Sequence, residues 1–66
     1  MISDLDIYHA AKLLLDRFKE GAAERAKCRA SELRDEGDTE GAAVWWQILS
    51  AVEELTRAKR DDEPVN

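Results

Sequence analysis

The stretch GAAVWWQILSAVEEL, residues 41–55, contains both tryptophans and includes the longest uncharged run of the chain. Its first twelve residues, 41–52, carry no charge, although 38% of all residues in the chain are charged. We therefore predict that this stretch forms the central helix of the fold and carries the main contact surface of the protein.

The apolar residues of this stretch cover an unusually wide part of the helix. At 100° per residue they span about 220°, whereas an ordinary surface helix has an apolar arc of roughly 100°. The residues of this arc are Ala42, Val44, Trp45, Trp46, Ile48, Leu49, Ala51, Val52 and Leu55. One neighbouring helix cannot cover so much surface. The helix is therefore either wedged between two others, or its Ala42–Trp46 edge faces a partner chain.

The two tryptophans lie at different positions on this arc. Trp45 is near the centre, so we expect it in the core, where large aromatic side chains dominate. Trp46 is at the edge beside Glu53, where it either covers the rim of the core or anchors an interface, a role in which tryptophan is enriched. The candidate protein interface comprises Trp46, Ala42, Leu49 and Glu53, together with Leu13, an apolar residue on the polar side of the first helix.

Length and composition limit the class of protein. Sixty-six residues make one domain, predicted at 1–60, and the tail 61–66 has nothing to bury and is expected to be disordered. A single cysteine leaves no disulfide within the chain. No signal peptide is visible, and the uncharged run is shorter than the roughly 20 residues of a membrane span. We expect a cytoplasmic protein with no membrane partner.

The charge balance is acidic. The net charge is −5, and residues 37–55 contribute −4 of it. Nonspecific nucleic-acid binding requires a basic patch, so we expect no direct binding to DNA or RNA. An acidic surface is compatible with a basic surface on another protein, and it also favours solubility.

Helical periodicity predicts an all-α fold, a small three-helix bundle with helices at about 4–18, 21–36 and 38–59. The second helix has a narrow stripe of small side chains that allows close approach of its neighbours. The stripe consists of Ala22, Ala26, Ala30 and Leu33. The bulk of the core is then expected from Phe18, Trp45 and the leucines opposite.

Capping residues indicate where these helices begin and end. Ser3 is a suitable N-cap for the first helix, and Asp38 for the third. Gly37 suits the left-handed position after the second helix, and this short connection makes helices 2 and 3 an antiparallel hairpin. Gly21 favours a bend between the first two helices, while one continuous helix over 4–36 is the alternative.

The chemistry-bearing residues form no recognisable site. His9 is the only histidine, and no second histidine, cysteine or paired carboxylate lies four residues away from it. Cys28 lies on the charged side of the second helix, without a histidine or a second cysteine close in sequence. We therefore predict no catalytic, metal or cofactor site, and a protein that is not an enzyme.

Several short motifs of the chain carry a resemblance. They are D-I-Y at 6–8, A-K-L-L at 11–14 with Asp16, A-A at 22–23, R-A at 29–30, G-D at 37–38, G-A at 41–42, Trp45, I-L at 48–49 and E-L at 54–55. In these positions the chain resembles short, uncharacterised bacterial all-helical proteins, a domain of unknown function. The resemblance implies a helical fold and no activity. The chain departs from it at Phe18-Lys19, where a polar residue and a glycine are expected.

Three hypotheses for function follow. The first is a non-enzymatic protein-interaction module, and its size and charge fit a small regulator or inhibitor from a phage or another mobile element that occupies a partner's surface. The second is a structural homodimer in which the same arc packs against its own copy. The third is an acidic mimic of nucleic acid that blocks a basic groove, a hypothesis weakened by basic residues interspersed among the acidic ones.

Overall fold

The computed structural model describes residues 3–62, and all the regular secondary structure in this range is helical. The predicted all-α class is therefore confirmed. Helix α1 spans Asp4–Phe18, as the periodicity predicts. Ser3 is its N-cap, because the Asp6 N–H donates to Ser3 Oγ at 3.3 Å.

The chain bends after α1, with no loop between this helix and the next helical turn. A single 3₁₀ turn, Lys19–Gly21, leads directly into helix α2, Ala22–Asp35. Lys19 has φ 53° and ψ −122°, a combination that residues with a side chain rarely adopt. Gly21 has φ −84° and ψ −1°, which any residue can adopt. The bend therefore lies at Lys19 and not at the glycine that the sequence singled out.

Helix α2 ends in a Schellman motif, a left-handed cap that satisfies its last carbonyl groups. Gly37 has φ 88°, and its N–H donates to the Arg34 carbonyl at 3.0 Å. The N–H of Asp38 donates to the Leu33 carbonyl at 2.8 Å. The predicted roles of Gly37 and Asp38 at this turn are confirmed.

Helix α3 spans Thr39–Asp62, and Asp38 is its N-cap. The Asp38 Oδ1 atom accepts a hydrogen bond from the Gly41 N–H at 2.9 Å. A Cβ atom at Gly41 would collide with this carboxylate, so the capping geometry favours glycine there. The helix continues past the predicted end at residue 59, so 61 and 62 of the predicted disordered tail are helical. Residues 63–66 lie outside the described range.

The predicted three-helix bundle is not supported. Residues 4–35 form one helical segment that has no loop but is bent at Lys19, and α3 is the second segment of the described chain. Helix α3 packs along α2 as an antiparallel hairpin and also contacts α1, whereas α1 and α2 contact each other much less. The physical reason is the absence of a loop between α1 and α2, which leaves a bent helix folded against α3.

Small side chains form the centre of the core. The buried hydrophobic residues are Ile7, Ala11, Ala22, Ala26, Ala30, Leu33, Ala42, Ile48, Ala51 and Val52. Of the side chains larger than alanine, only that of Val52 is completely enclosed among the described residues. Phe18 and Trp45 pack against this core but are half-buried. The bulky apolar groups therefore lie at the rim and not at the centre.

Candidate protein-interaction surface

Trp46 lies at the exposed edge of α3, as its position on the apolar arc predicts. Its side chain is 39% exposed, and it is one of the large hydrophobic residues that the fold leaves partly in solvent. Leu49, about one turn further along the same edge, is half-buried against the core. Glu53 follows one more turn along and is exposed. These three side chains form a continuous strip, which we call the α3 edge.

Two residues of the candidate interface are not part of this strip. Ala42 is only 4% exposed, because it lies near the α2–α3 turn where the hairpin closes over it. Its side chain belongs to the core and offers no surface to a partner. Leu13 is 56% exposed on α1, on the side turned away from the buried residues Ile7 and Ala11. The structure therefore does not unite Leu13 with the α3 edge.

Two further apolar residues of α1 are exposed, and neither was predicted to contribute to the surface. Leu5 is 79% exposed, and Tyr8 is 39% exposed. Leu5 lies outside the stripe of Ile7 and Ala11, which is the signal that would have identified it as exposed. The exposure of Tyr8 depends on how α1 lies against α3, so its sequence position on the flank of the stripe does not predict it.

Tyr8 connects α1 to α3. Its hydroxyl donates a hydrogen bond to Glu54 Oε2 at 2.6 Å, across 46 positions of sequence. This hydrogen bond raises the pKa of the Tyr8 hydroxyl above its ordinary value, since loss of the proton would break the bond and place two negative charges together. Partial desolvation and the negative charges of Glu54 and Asp4 raise the pKa further.

A groove of about 930 Å³ lies beside the bend at Lys19. Leu15 of α1 and Val52 and Leu55 of α3 form part of its apolar lining, and Glu53 of the α3 edge lies on its wall. Its charged residues are Lys12, Asp16, Lys19, Glu20, Glu53 and Arg57. Three of these residues are basic and three are acidic, so the lining favours neither a strongly negative nor a strongly positive ligand.

A second groove of about 410 Å³ has an aromatic lining. Phe18 and Trp45 contribute to it, and the guanidinium carbon of Arg25 lies 4.9 Å from the centre of the Phe18 ring, a cation–π contact. Arg29 and Glu32 form an ion pair of 3.1 Å on its wall. The residues of this groove therefore contact one another, through the Arg25–Phe18 contact and the Arg29–Glu32 pair. We interpret the groove as part of the packing at the rim of the core.

Neither groove has His9 in its lining, and Cys28 lines only the second groove. Within residues 3–62, no three His, Cys, Asp or Glu side chains are placed to hold a metal ion. Cys28 is exposed on the wall of the second groove, and His9 is exposed on α1. In the same range, no helix combines the length and the hydropathy that crossing a membrane requires.

Comparison with known proteins gives no match, neither to a family model, nor to a curated protein, nor to a solved structure. The resemblance to short bacterial helical proteins therefore stays a prediction.

Proposed function

We propose that this protein is a non-enzymatic protein-interaction module that acts by occupying the surface of a partner protein, as a small regulator or inhibitor does. The observation that carries the proposal is the α3 edge, where Trp46 is partly exposed next to half-buried Leu49 and exposed Glu53. A tryptophan in this position can fill an apolar pocket on a partner, and tryptophan is among the residues most enriched at binding hot spots.

The charge of the chain narrows the kind of partner. The net charge is −5, and α3 carries Glu53 and Glu54 beside its apolar edge. A complementary partner would have an apolar pocket for Trp46 and basic residues around it. Such rim charges mainly increase the rate of association and select among partners, while the buried anchor supplies most of the affinity.

The experiment is a capture assay with wild type, Trp46→Glu and Leu5→Glu. Both substitutions replace an exposed apolar side chain with a carboxylate, but only Trp46 lies on the α3 edge. We expect Trp46→Glu to lose the partner and Leu5→Glu to retain it, after circular dichroism has shown that both variants are helical. Retention of the partner by Trp46→Glu would contradict this placement of the surface.

A structural homodimer is the second candidate. It is favoured by the nine apolar residues that pack against the core and are only partly buried, since a second copy would cover them. Sedimentation equilibrium tests it directly. A dimer of wild type that Trp46→Glu dissociates would assign the α3 edge to self-association.

A further inference from the structure

Lys19 holds the sharp bend of the chain in a conformation that opposes its own preference. Within residues 3–62 it is the only residue other than glycine with a positive φ, 53°. A Cβ atom makes this region unfavourable, and such residues persist only when the surrounding packing imposes them. A rearrangement that returns Lys19 to a right-handed helical conformation and keeps the packing of α1 would therefore lower the free energy of the folded state.

The sequence on the two sides of the bend suits a single straight helix. Apolar residues recur at intervals of three or four across the bend, so one side of a continuous helix would carry all of them. They are Ile7, Ala11, Leu14, Phe18, Ala22, Ala26, Ala30 and Leu33. Helical hydrogen bonds already reach both sides of the bend, because the Lys19 N–H donates to the Leu15 carbonyl and the Lys19 carbonyl accepts from Ala22.

Helix α1 is held mainly by α3 and much less by α2. Ile7 and Ala11 share one buried cluster with residues of α3 such as Val52, and the same cluster includes Ala22 and Ala26 of α2. The Tyr8 hydroxyl donates to Glu54 Oε2 at 2.6 Å. None of these contacts requires that α1 and α3 belong to the same chain. The groove of about 930 Å³ beside Lys19 also leaves the seam between the end of α1 and α3 open.

We propose that this protein forms a dimer by exchanging α1 between two copies. In the dimer Lys19 becomes helical, Asp4–Asp35 forms one continuous helix of about 48 Å, and α1 packs against α3 of the second copy. In this dimer, the face of α3 that binds α1 in the monomer binds α1 of the second copy. Exchange of an identical element is a low-cost route to a dimer, because the contacts of the monomer are reused. The proposal is independent of a partner at the α3 edge.

Two substitutions at the bend, Lys19→Gly and Lys19→Ala, test the exchange and differ by one methyl group. Both remove the lysine charge. Glycine relaxes the bent form, whereas alanine retains the unfavourable φ and strengthens the continuous helix. In a helix interior, glycine also lowers the equilibrium constant for helix formation roughly fivefold relative to alanine. Two chains straighten in each dimer, so we expect the dissociation constant of the dimer to be at least about 25-fold higher for Lys19→Gly.

Sedimentation equilibrium at millimolar concentration gives the two dissociation constants, with Trp46→Glu as the control for a dimer formed through the α3 edge. The exchange dimer is expected to persist in Trp46→Glu. The proposal would be overturned if the two Lys19 variants had equal dissociation constants or if Lys19→Gly formed the tighter dimer. It would also be overturned if Lys19→Ala were monomeric at all concentrations. A dimer that Trp46→Glu abolishes would overturn it as well, and would assign self-association to the α3 edge.

Discussion

At the scale of single residues, two glycines of the chain have opposite requirements. Gly37 has φ 88°, in the left-handed region, and it closes the Schellman motif of α2. Gly21 has φ −84°, and a Cβ atom there would meet nothing within 4 Å. A methyl group is therefore unfavourable at Gly37 and acceptable at Gly21, although the sequence predicts a turn or bend at both glycines.

The same substitution at these two positions should change stability in opposite directions. We expect Gly37→Ala to lower the free energy of unfolding by about 1–2 kcal/mol, the usual penalty of a side chain in the left-handed region. Gly21→Ala should raise it by about 0.5–1 kcal/mol, since alanine restricts the unfolded chain more and suits a helix better. Urea denaturation followed by circular dichroism measures both. A loss of stability in both variants would contradict the conformation of Gly21.

At the scale of elements, the hydrogen bond between Tyr8 and Glu54 ties α1 to α3. The folded-state pKa of Tyr8 is raised above its ordinary value of 10.0, chiefly by this bond. A group whose pKa is raised on folding adds stability below its unfolded pKa and loses that contribution as the pH rises through its folded pKa. The contribution of Tyr8 is therefore complete below about pH 10 and declines at more alkaline pH.

Tyr8→Phe should reveal this contribution. Below about pH 10 we expect the variant to melt at a lower temperature than wild type, and above the raised pKa of Tyr8 the difference should disappear. Melting curves from neutral to strongly alkaline pH provide the measurement. Glu54→Gln is the control background, in which Tyr8→Phe should show a much smaller dependence on pH. A difference between Tyr8→Phe and wild type that stays constant at high pH would count against the bond.

Helix ends and the bend show how far sequence alone predicts the elements. The caps at Ser3, Gly37 and Asp38 are predicted correctly because each depends on a few neighbouring residues and on backbone groups within one turn. The boundary between the first two helices is predicted correctly, but local preference assigns the bend to Gly21 and not to Lys19. Lys19 takes the strained conformation because packing of α1 and α2 on α3 outweighs its preference.

At the scale of the whole molecule, the close packing of α2 on α3 depends on alanine. Ala30 is completely buried, whereas Ala43 on α3 is exposed. We expect Ala30→Leu to lower the free energy of unfolding by about 1–3 kcal/mol, because the additional methylene groups force the helices apart. Ala43→Leu, the matched control, should change it by less than about 0.5 kcal/mol. Equal stability of the two variants in urea would show that the seam is not closely packed.

The exposure of the candidate interface residues was predicted in part. The positions of Trp46 and Glu53 at the edge of the apolar arc follow from helical periodicity, and the exposure of both agrees with it. The burial of Ala42 does not follow from periodicity, because it depends on closure of the α2–α3 hairpin near the turn. Leu13 and Trp46 lie on different helices, and periodicity within one helix cannot tell whether two helices present one common surface.

The helical class, the capped turn at Gly37-Asp38 and the edge position of Trp46 can be read from the amino-acid sequence, because propensity, capping and periodicity act over a few residues. The joining of α1 and α2 into one bent segment and the position of the large side chains at the rim follow only from packing between the helices. These outcomes depend on how closely alanine-lined helices approach each other and on the backbone conformation that this approach imposes on Lys19.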